Sequence, residues 1–340
     1  MQLIVLGLNH KTAPVEIRER FNFSQDRTVR VLRRLRNNDN LNEAVLLSTC
    51  NRTELYMVLE DPAAGLHFIR TLLRHLAGEQ YKPDYFYNLT GINCVRHLFK
   101  VASSLDSLII GEGQILSQIK NAYHLSRSCG MTDTLFNTLF NRAIAVGKRV
   151  RTETKIAYSS VSVSSAAVDL AIDVVGDLTK ANILVLGAGR MSELTARHLI
   201  DKGAKTIFVS NRNLSHAQEL AEKFNGTAIP YNEFMHQAIT SDIIITSTGA
   251  PHYVITEQGV RDIIPKRSGK PLILVDIAVP RDVDPLVGDI EGVTLYNIDD
   301  LEGVVDMNKN FRSSEAKVAE AIIDEEITAL KERLRYLTMR

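Results

Sequence analysis

The chain has few cysteines, no long apolar run and no excess of either charge, and each shortage closes off a class of protein. Three cysteines, Cys50, Cys94 and Cys129, stand in 340 residues, none of them in a CxxC pair, so a disulfide framework is excluded. A reducing, cytoplasmic setting is expected, and it leaves room for a working thiol. No usual zinc-ligand spacing occurs, so no metal site is expected. No apolar run approaches the roughly 18 residues that a membrane helix needs. Residues 3–8 are apolar but short and lack a basic leader, which suits a first strand better than a signal peptide. The 40 Lys and Arg balance 40 Asp and Glu, so no global field attracts nucleic acid. Local charge is less even. Residues 1–36 hold eight basic residues against three acids, and a second cluster comprises Lys148, Arg149, Arg151 and Lys155. Both suit a solvated helix face, and both suit phosphate contacts to RNA.

The length suggests two domains at about 150 residues each. Segments 3–9, 43–49 and 54–60 have strand character. From about 92 to 150 the spacing turns helical, including HLFKVASSLDSLI, QILSQIKNAYHL and LFNTLFNRAIAVGKRV. Residues 1–156 thus read as an α+β domain, and the small, polar stretch 156–165 suits a connection. Four β-branched runs follow, at 182–186, 206–210, 242–247 and 272–278. Helix-period segments separate the earlier ones, so residues 157–298 read as an α/β domain of Rossmann type. From Asp299, a plausible N-cap, to residue 340 the pattern is one long helix. Its apolar stripe comprises Ile323, Ile327, Leu330, Leu334 and Leu337. That stripe needs a cover: the two domains, a second copy, or further sequence.

Residues Gly187, Ala188, Gly189, Arg190, Met191 and Ser192 lie between a strand and a helix. Gly187 permits the tight turn, and Gly189 lets a pyrophosphate approach the helix N-terminus. Ser192 replaces the third glycine of the fingerprint, which weakens the match while keeping a small residue. The next strand ends Ser210-Asn211-Arg212. The acid that holds an NAD ribose is missing there, and a guanidinium is available for a 2′-phosphate, so NADPH is the expected cofactor.

Cys50 sits where a strand gives way to polar residues, with Thr49 and Asn51 beside it and Arg52 two positions on. A nearby cation favours thiolate. Cys94 and Cys129 sit among helical residues and read as structural. His97 opens an apolar helix, which suits an acid in catalysis and equally a packing or capping histidine.

The segments GLNHKTAPVEIRER (7–20), STCNRTELY (48–56), HLFKVASSLDSLIIGEGQILSQIK (97–120), KRVRTET (148–154), GAGRMS and VDIAVPRDVDP (275–285) occur in the order found in glutamyl-tRNA reductase, which the chain resembles along its whole length. The resemblance implies that Cys50 attacks the ester joining glutamate to tRNA(Glu), and that His97 matters for activity. It implies substrate contacts from Thr49, Asn51, Arg52, Ser107, Glu112, Gly113, Gln114 and Gln118, with Arg52 gripping the glutamate carboxylate. It places NADPH on 187–192 and makes glutamate-1-semialdehyde the product, passed to glutamate-1-semialdehyde aminomutase for tetrapyrrole synthesis. Members of this family normally continue past the long helix into a dimerisation domain that this chain lacks, so a monomer or weak dimer is expected. Two other classes share parts of the pattern: a shikimate-type or aldehyde dehydrogenase using NADP, and a non-catalytic RNA- or haem-binding regulator.

Overall fold

The computed structural model describes residues 1–77, 82–156, 162–301 and 309–338. They fall into two compact units, Met1–Ser160 with Asn308–Arg340, and Val161–Met307. The first contains β1 (Gln2–Asn9), α1 (Val15–Arg18), α2 (Gln25–Leu35), β2 (Leu41–Ser48), β3 (Arg52–Leu59), α3 (Pro62–Ala77), β4 (Tyr87–Thr90), α4 (Gly91–Ala102), α5 (Ile115–Ser128) and α6 (Thr134–Glu153). The strands form an antiparallel sheet in the order β2-β3-β1-β4. Alternate residues feed separate cores. Val5, Val45, Tyr56 and Val58 pack with Leu98, Phe99, Phe136 and Phe140, while Ile4, Leu6, Leu46 and Met57 pack with Leu32, Leu35 and Ile69. Burial on both faces explains why these strands read as nearly continuous apolar runs.

The helical spacing expected through Ile109 stops at Ala102. Ser104 takes a left-handed φ of 58°, and its hydroxyl donates to the Glu112 carbonyl at 2.6 Å. Leu108 and Ile109 remain buried from this loop, which is why their spacing resembled a helix face. At the start of α6 the missing cap comes from another element. Buried Glu43 of β2 accepts from the Asp133 and Phe136 amides at 2.6 and 2.9 Å, satisfying donors that a helix start leaves free.

The second unit contains α7 (Val163–Val175), β5 (Asn182–Leu186), α8 (Arg190–Asp201), β6 (Thr206–Ser210), α9 (Leu214–Lys223), β7 (Thr227–Ile229), α10 (Phe234–Ala238), β8 (Ile243–Thr246), α11 (Glu257–Ile263), β9 (Leu272–Asp276) and β10 (Val293–Asn297). Its parallel sheet runs β10-β9-β8-β5-β6-β7, so the chain reverses its direction of winding between β5 and β8. A doubly wound fold binds ligands outside the strand ends at that point. The serine-rich stretch expected to be a connection is partly a helix start. Ser162 caps α7 by accepting from the Ser165 amide at 3.0 Å, and Ser165 accepts from the Ser162 amide at 2.8 Å, a reciprocal capping box. Residues 157–161 lie outside the described residues.

The last helix is described as α12 (Lys309–Thr338); of the helix expected from Asp299, residues 302–308 lie outside the described residues. Asp299 and Asp300 instead close a turn onto Asn297. Ala319, Ile322, Ile323, Ile327 and Leu330 of α12 are buried in the same core as α4 and α6, so this part of the stripe folds back on the first unit. The side chains of Leu334 and Leu337 lie outside the described residues. Ion pairs flank the seam: Lys100–Glu320 at 2.8 Å, Arg142–Glu326 at 2.5 Å, Arg149–Glu325 at 2.8 Å, and Arg96–Asp324. Pairs this exposed contribute roughly 0–1 kcal/mol each, against about 1.5–3 kcal/mol for each buried Ile or Leu. The apolar seam therefore dominates.

Gly147 of α6 lies where a Cβ would stand 2.4 Å from the Ala102 carbonyl oxygen of α4. Alanine in a helix ordinarily gains up to about 1 kcal/mol over glycine. Here we expect Gly147→Ala to destabilise by about 1–3 kcal/mol, because backbone must yield. Urea denaturation should show a lower midpoint at unchanged slope. A higher midpoint would show that α4 and α6 part without cost.

Candidate active site

Cys50 lies in the turn from β2 to β3. The Thr49 hydroxyl accepts from the Asn51 and Arg52 amides at 3.2 and 3.1 Å, and the Thr49 amide donates to the Arg52 carbonyl at 2.8 Å. The Arg18 guanidinium donates to the Cys50 carbonyl at 3.4 Å, and the His10 amide donates to the Asn51 carbonyl at 3.0 Å. Thr49 and Asn51 thus fix the turn that presents the thiol.

The sequence leads one to expect a thiol acidified by Arg52, and the structure shows the reverse. Burial, reinforced by the Glu112 carboxylate, pushes the Cys50 thiol up to about 12, with Arg18 acting in the opposite sense. Arg52 is itself buried. One of its nitrogens meets Glu54 at 2.5 Å, and another meets the Asp106 carboxylate at 3.1 Å together with its carbonyl. These nitrogens hold the protein's own carboxylates, which differs from the grip on a substrate expected for Arg52.

Glu54, which the sequence reading passed over, is the hub of the site. Fully buried, it accepts from Arg52, from His97 Nε2 at 2.8 Å, and from the Tyr56 and Tyr87 hydroxyls, each at 2.5 Å. Against the cost of burial, Arg52 and His97 hold its carboxyl well below the usual carboxylate range. An ionised carboxylate only accepts, so His97 Nε2 carries the proton. His97 is therefore part of a charged network, beyond a packing role. The signal was present: Arg52 and Glu54 share one face of an otherwise apolar strand, two positions apart.

The loop between α4 and α5 brings Asp106, Ser107, Glu112 and Gly113 to this network. Lys11 pairs with Asp106 at 2.5 Å. Burial raises the Glu112 carboxyl, and its carbonyl accepts from Arg151 at 3.3 Å. A Cβ on Gly113 would stand 3.2 Å from the Arg151 guanidinium. Gln114 precedes α5, and its carbonyl takes the Gln118 amide at 3.0 Å, so both glutamines sit on the same end of that helix. Asn51 Oδ1, Ser107 Oγ and His10 Nδ1 are buried with no hydrogen-bond partner among the described residues. Each such atom costs about 1–3 kcal/mol, which a polar ligand at this place recovers. Burial, with Arg52 and Lys11 nearby, lowers His10 to about 4. Cys94 is fully buried in the core and Cys129 caps α5, so neither belongs to the site. No group of three or more metal-ligating residues occurs among the described residues.

The residues of the second unit fit a dinucleotide. Gly187 has φ of 110°, and a Cβ there would meet Ser192 Oγ and the Ser247 carbonyl oxygen, each at 2.9 Å. A Cβ on Gly189 would meet nothing within 4 Å, so its backbone is open to a ligand at the uncapped start of α8. Ser192 is buried and bonds Ser247 at 2.7 Å, fastening α8 to the loop after β8, which a glycine could not do. Ala188, Arg190 and Met191 complete the turn, with the Met191 carbonyl accepting from Ser164 at 3.3 Å. A cleft of ≈ 260 Å³ at this sheet edge is lined by Gly187, Ser210, Asn211, Arg212, Thr248 and Gly249, among others. Arg212 is exposed, 3.0 Å from His252 Nε2 and over the Tyr231 ring. Below the cleft, buried Asp276 accepts from Thr246 and from the Ala278, Asp282 and Val283 amides. These bonds knot the 275–285 segment against β8.

A thiol-bearing α+β unit and a doubly wound unit with a dinucleotide turn together define an oxidoreductase with a nicotinamide-type binding domain. Comparison with known proteins resolves the class further. A family profile described as "Glutamyl-tRNAGlu reductase, N-terminal domain" matches residues 6–154, and one described as "Shikimate / quinate 5-dehydrogenase" matches residues 169–304. Glutamyl-tRNA reductase of Trichlorobacter lovleyi is 47% identical over 96% of this chain and 76% of its own length. That of Geobacter sulfurreducens is 46% identical over the same shares. The solved glutamyl-tRNA reductase from Methanopyrus kandleri is 36% identical, covering 98% of this chain and 81% of its own, with a TM-score of 0.52. The chain belongs to the glutamyl-tRNA reductase family, whose reaction opens a route to tetrapyrroles. The shikimate-type reading reaches only the second unit and leaves Cys50 without a part. No helix among the described residues is long and apolar enough to cross a membrane.

Glu54 makes stability depend on pH. Its folded pKa lies below the unfolded value of about 4.3, so the folded state binds fewer protons. Its contribution is complete above that value and is lost as pH falls through the folded pKa. We expect Glu54→Gln to cost about 3 kcal/mol near neutral pH by leaving buried Arg52 short of a carboxylate, and to flatten the acid limb of the stability curve. Denaturation at a series of pH values tests this. An acid limb as steep as wild type would place the titration elsewhere.

Proposed function

We propose that the protein reduces glutamyl-tRNA(Glu) to glutamate-1-semialdehyde with NADPH, through a thioester on Cys50. The observation that carries this reading is the Cys50 turn itself: a fixed thiol in the field of the half-buried Glu112 carboxylate, with the unpartnered Asn51 and Ser107 oxygens. Cys50 attacks the ester carbonyl, the bond to the tRNA ribose breaks, and the ribose hydroxyl leaves with a proton. A thioester accepts hydride where a carboxylate resists it, so one hard step becomes two easier ones.

The raised thiol pKa has a physical counterpart in the substrate. A glutamyl ester carries an α-ammonium group, and the raised, half-buried Glu112 is the carboxylate suited to receive it. Pairing neutralises the Glu112 charge that adds to burial in opposing the Cys50 thiolate, so the thiol is easier to ionise once substrate has arrived. Ser107, Asn51, Gln114 and Gln118 offer hydrogen bonds to the remaining polar groups. Arg52 and His97, tied through Glu54, keep the turn and its neighbouring loop at a fixed place near the reacting ester. Bound NADPH supplies the hydride that turns the thioester into the aldehyde and frees the thiol. The turn 187–192 holds its pyrophosphate, and Arg212, without an ion pair among the described residues, receives its 2′-phosphate. The aldehyde then passes to glutamate-1-semialdehyde aminomutase in the cytoplasm.

Two experiments bear on this. Cys50→Ser should abolish NADPH oxidation dependent on glutamyl-tRNA, while wild type without NADPH should slowly hydrolyse the ester through a hydroxylamine-sensitive adduct. Substantial NADPH-dependent turnover by the Ser variant would remove Cys50 as the nucleophile. Arg212→Ala should weaken NADPH by about ten- to a hundredfold, the loss of a charge-assisted bond worth roughly 1.5–3 kcal/mol, and should spare NADH. Equal losses for both would assign Arg212 a structural part only.

A further inference from the structure

The two basic clusters that look alike in sequence differ in the fold. Arg149 of the second is consumed, with its guanidinium spread over Glu153, Glu325 and Glu326 at 2.8–3.0 Å. The first cluster borders a groove of ≈ 600 Å³ between α2 and α5, floored by Phe23, Leu46 and Leu125 and walled by Gln25, Gln118 and Asn121. Ser48 also lines it, two residues before Cys50. On α5, Gln114, Gln118, Asn121, Leu125 and Ser128 recur at alternating four and three, so one helix face runs from the substrate loop along the groove. Gln25, Asn121 and His124 carry no side-chain hydrogen bond among the described residues. Lys120 and Arg127 lie four residues before and three residues after His124, on the row of α5 that borders the groove at that histidine, and Arg36 lies near Gly130 past the end of α5. All three cations are exposed and have no ion pair among the described residues.

We infer that this groove seats the 3′-terminal nucleotide of the RNA substrate, with Lys120, Arg127 and Arg36 meeting its phosphates. The inference rests on the reading of the substrate as an aminoacyl-tRNA. An ester whose carbonyl lies at Cys50 keeps its ribose within a few ångströms, and the groove opens beside that turn at Ser48 and Gln118. Free amide and imidazole groups suit the polar edges of a ribose and a base. An apolar floor suits the base face, and unpaired cations at the far end suit the phosphates that follow. The aromatic rings that line the groove are the buried Phe23 and the exposed imidazole of His124, so hydrogen bonding and charge carry recognition here more than stacking.

The test compares two substrates: glutamyl-tRNA, and a small activated glutamyl ester that acylates Cys50 without RNA. For the double variant Lys120→Gln/Arg127→Gln we expect the KM for glutamyl-tRNA to rise at least tenfold with little change in kcat. The salt dependence of binding should weaken by about 1.4 in log–log slope, two single-strand contacts at roughly 0.7 each. Asn121→Trp, which fills the groove without altering charge, should raise the same KM. In both variants the loss with RNA should exceed the loss with the small ester at least tenfold. Variants that acylate from the small ester and keep the wild-type KM and salt slope would overturn the groove as the RNA seat. Wild type that forms no Cys50 adduct from either substrate would remove the underlying reading, and the occupant of the groove with it.

Discussion

The buried charge pair of Arg52 and Glu54 is the constraint on which the first unit depends. Neither side chain keeps more than a trace of exposure, and an isolated ion at such depth costs several kcal/mol. The fold meets that cost by surrounding both with partners from separate elements. Tyr87 comes from β4, His97 from α4 and Asp106 from the loop that follows, and all converge on two residues of β3. A network of this kind contributes little net stability over an apolar equivalent, but it fixes position, since each donor has one acceptor to satisfy. The same contacts hold the Cys50 turn and the Ser107 loop in one frame.

That frame accounts for the state of the thiol. A cysteine turn packed against a neutralised guanidinium gains nothing from its charge, because Glu54 and Asp106 already cancel it. What reaches Cys50 is the desolvation of a crowded turn and the carboxylate of Glu112. A thiol kept protonated resists adventitious oxidation and alkylation. Sequence proximity of a cation was a poor guide because what matters is whether its charge has been spent.

The legible parts of the molecule are those whose side chains face one environment along a whole element. β1, β5, β6 and β9 are mostly apolar, as is β3 beyond Glu54, and they were visible at once, as was the turn at Gly187 and Gly189. The short edge strands β7 and β10 are half exposed and carry no such pattern. The end of α4 was invisible because Leu108 and Ile109 stay in the core after the helix has stopped. Glu54 was hidden by neighbours that look like ordinary strand residues, and its importance is three-dimensional: its partners lie at positions 52, 56, 87 and 97.

The long helix shows how apolar and charged contacts divide their work. Ile322, Ile323, Ile327 and Leu330 bind it to α4 and α6, and burial supplies the energy without specifying register closely. A helix can slide by a turn along an apolar seam at modest cost, since isoleucines and leucines interchange with little penalty. The flanking pairs cannot slide. Arg96, Lys100, Arg142 and Arg149 each meet an acid spaced along α12, and a shift of one turn would set several of them against unmatched positions. Weak pairs thus choose among arrangements that strong burial leaves nearly equal, and from the basic cluster at 148–155 the choice spends Arg149 on the acids of the protein's own helices. Charge used in this way is no longer available to a polyanion, whereas the cations beside α2 and α5, which hold no element in register, keep theirs.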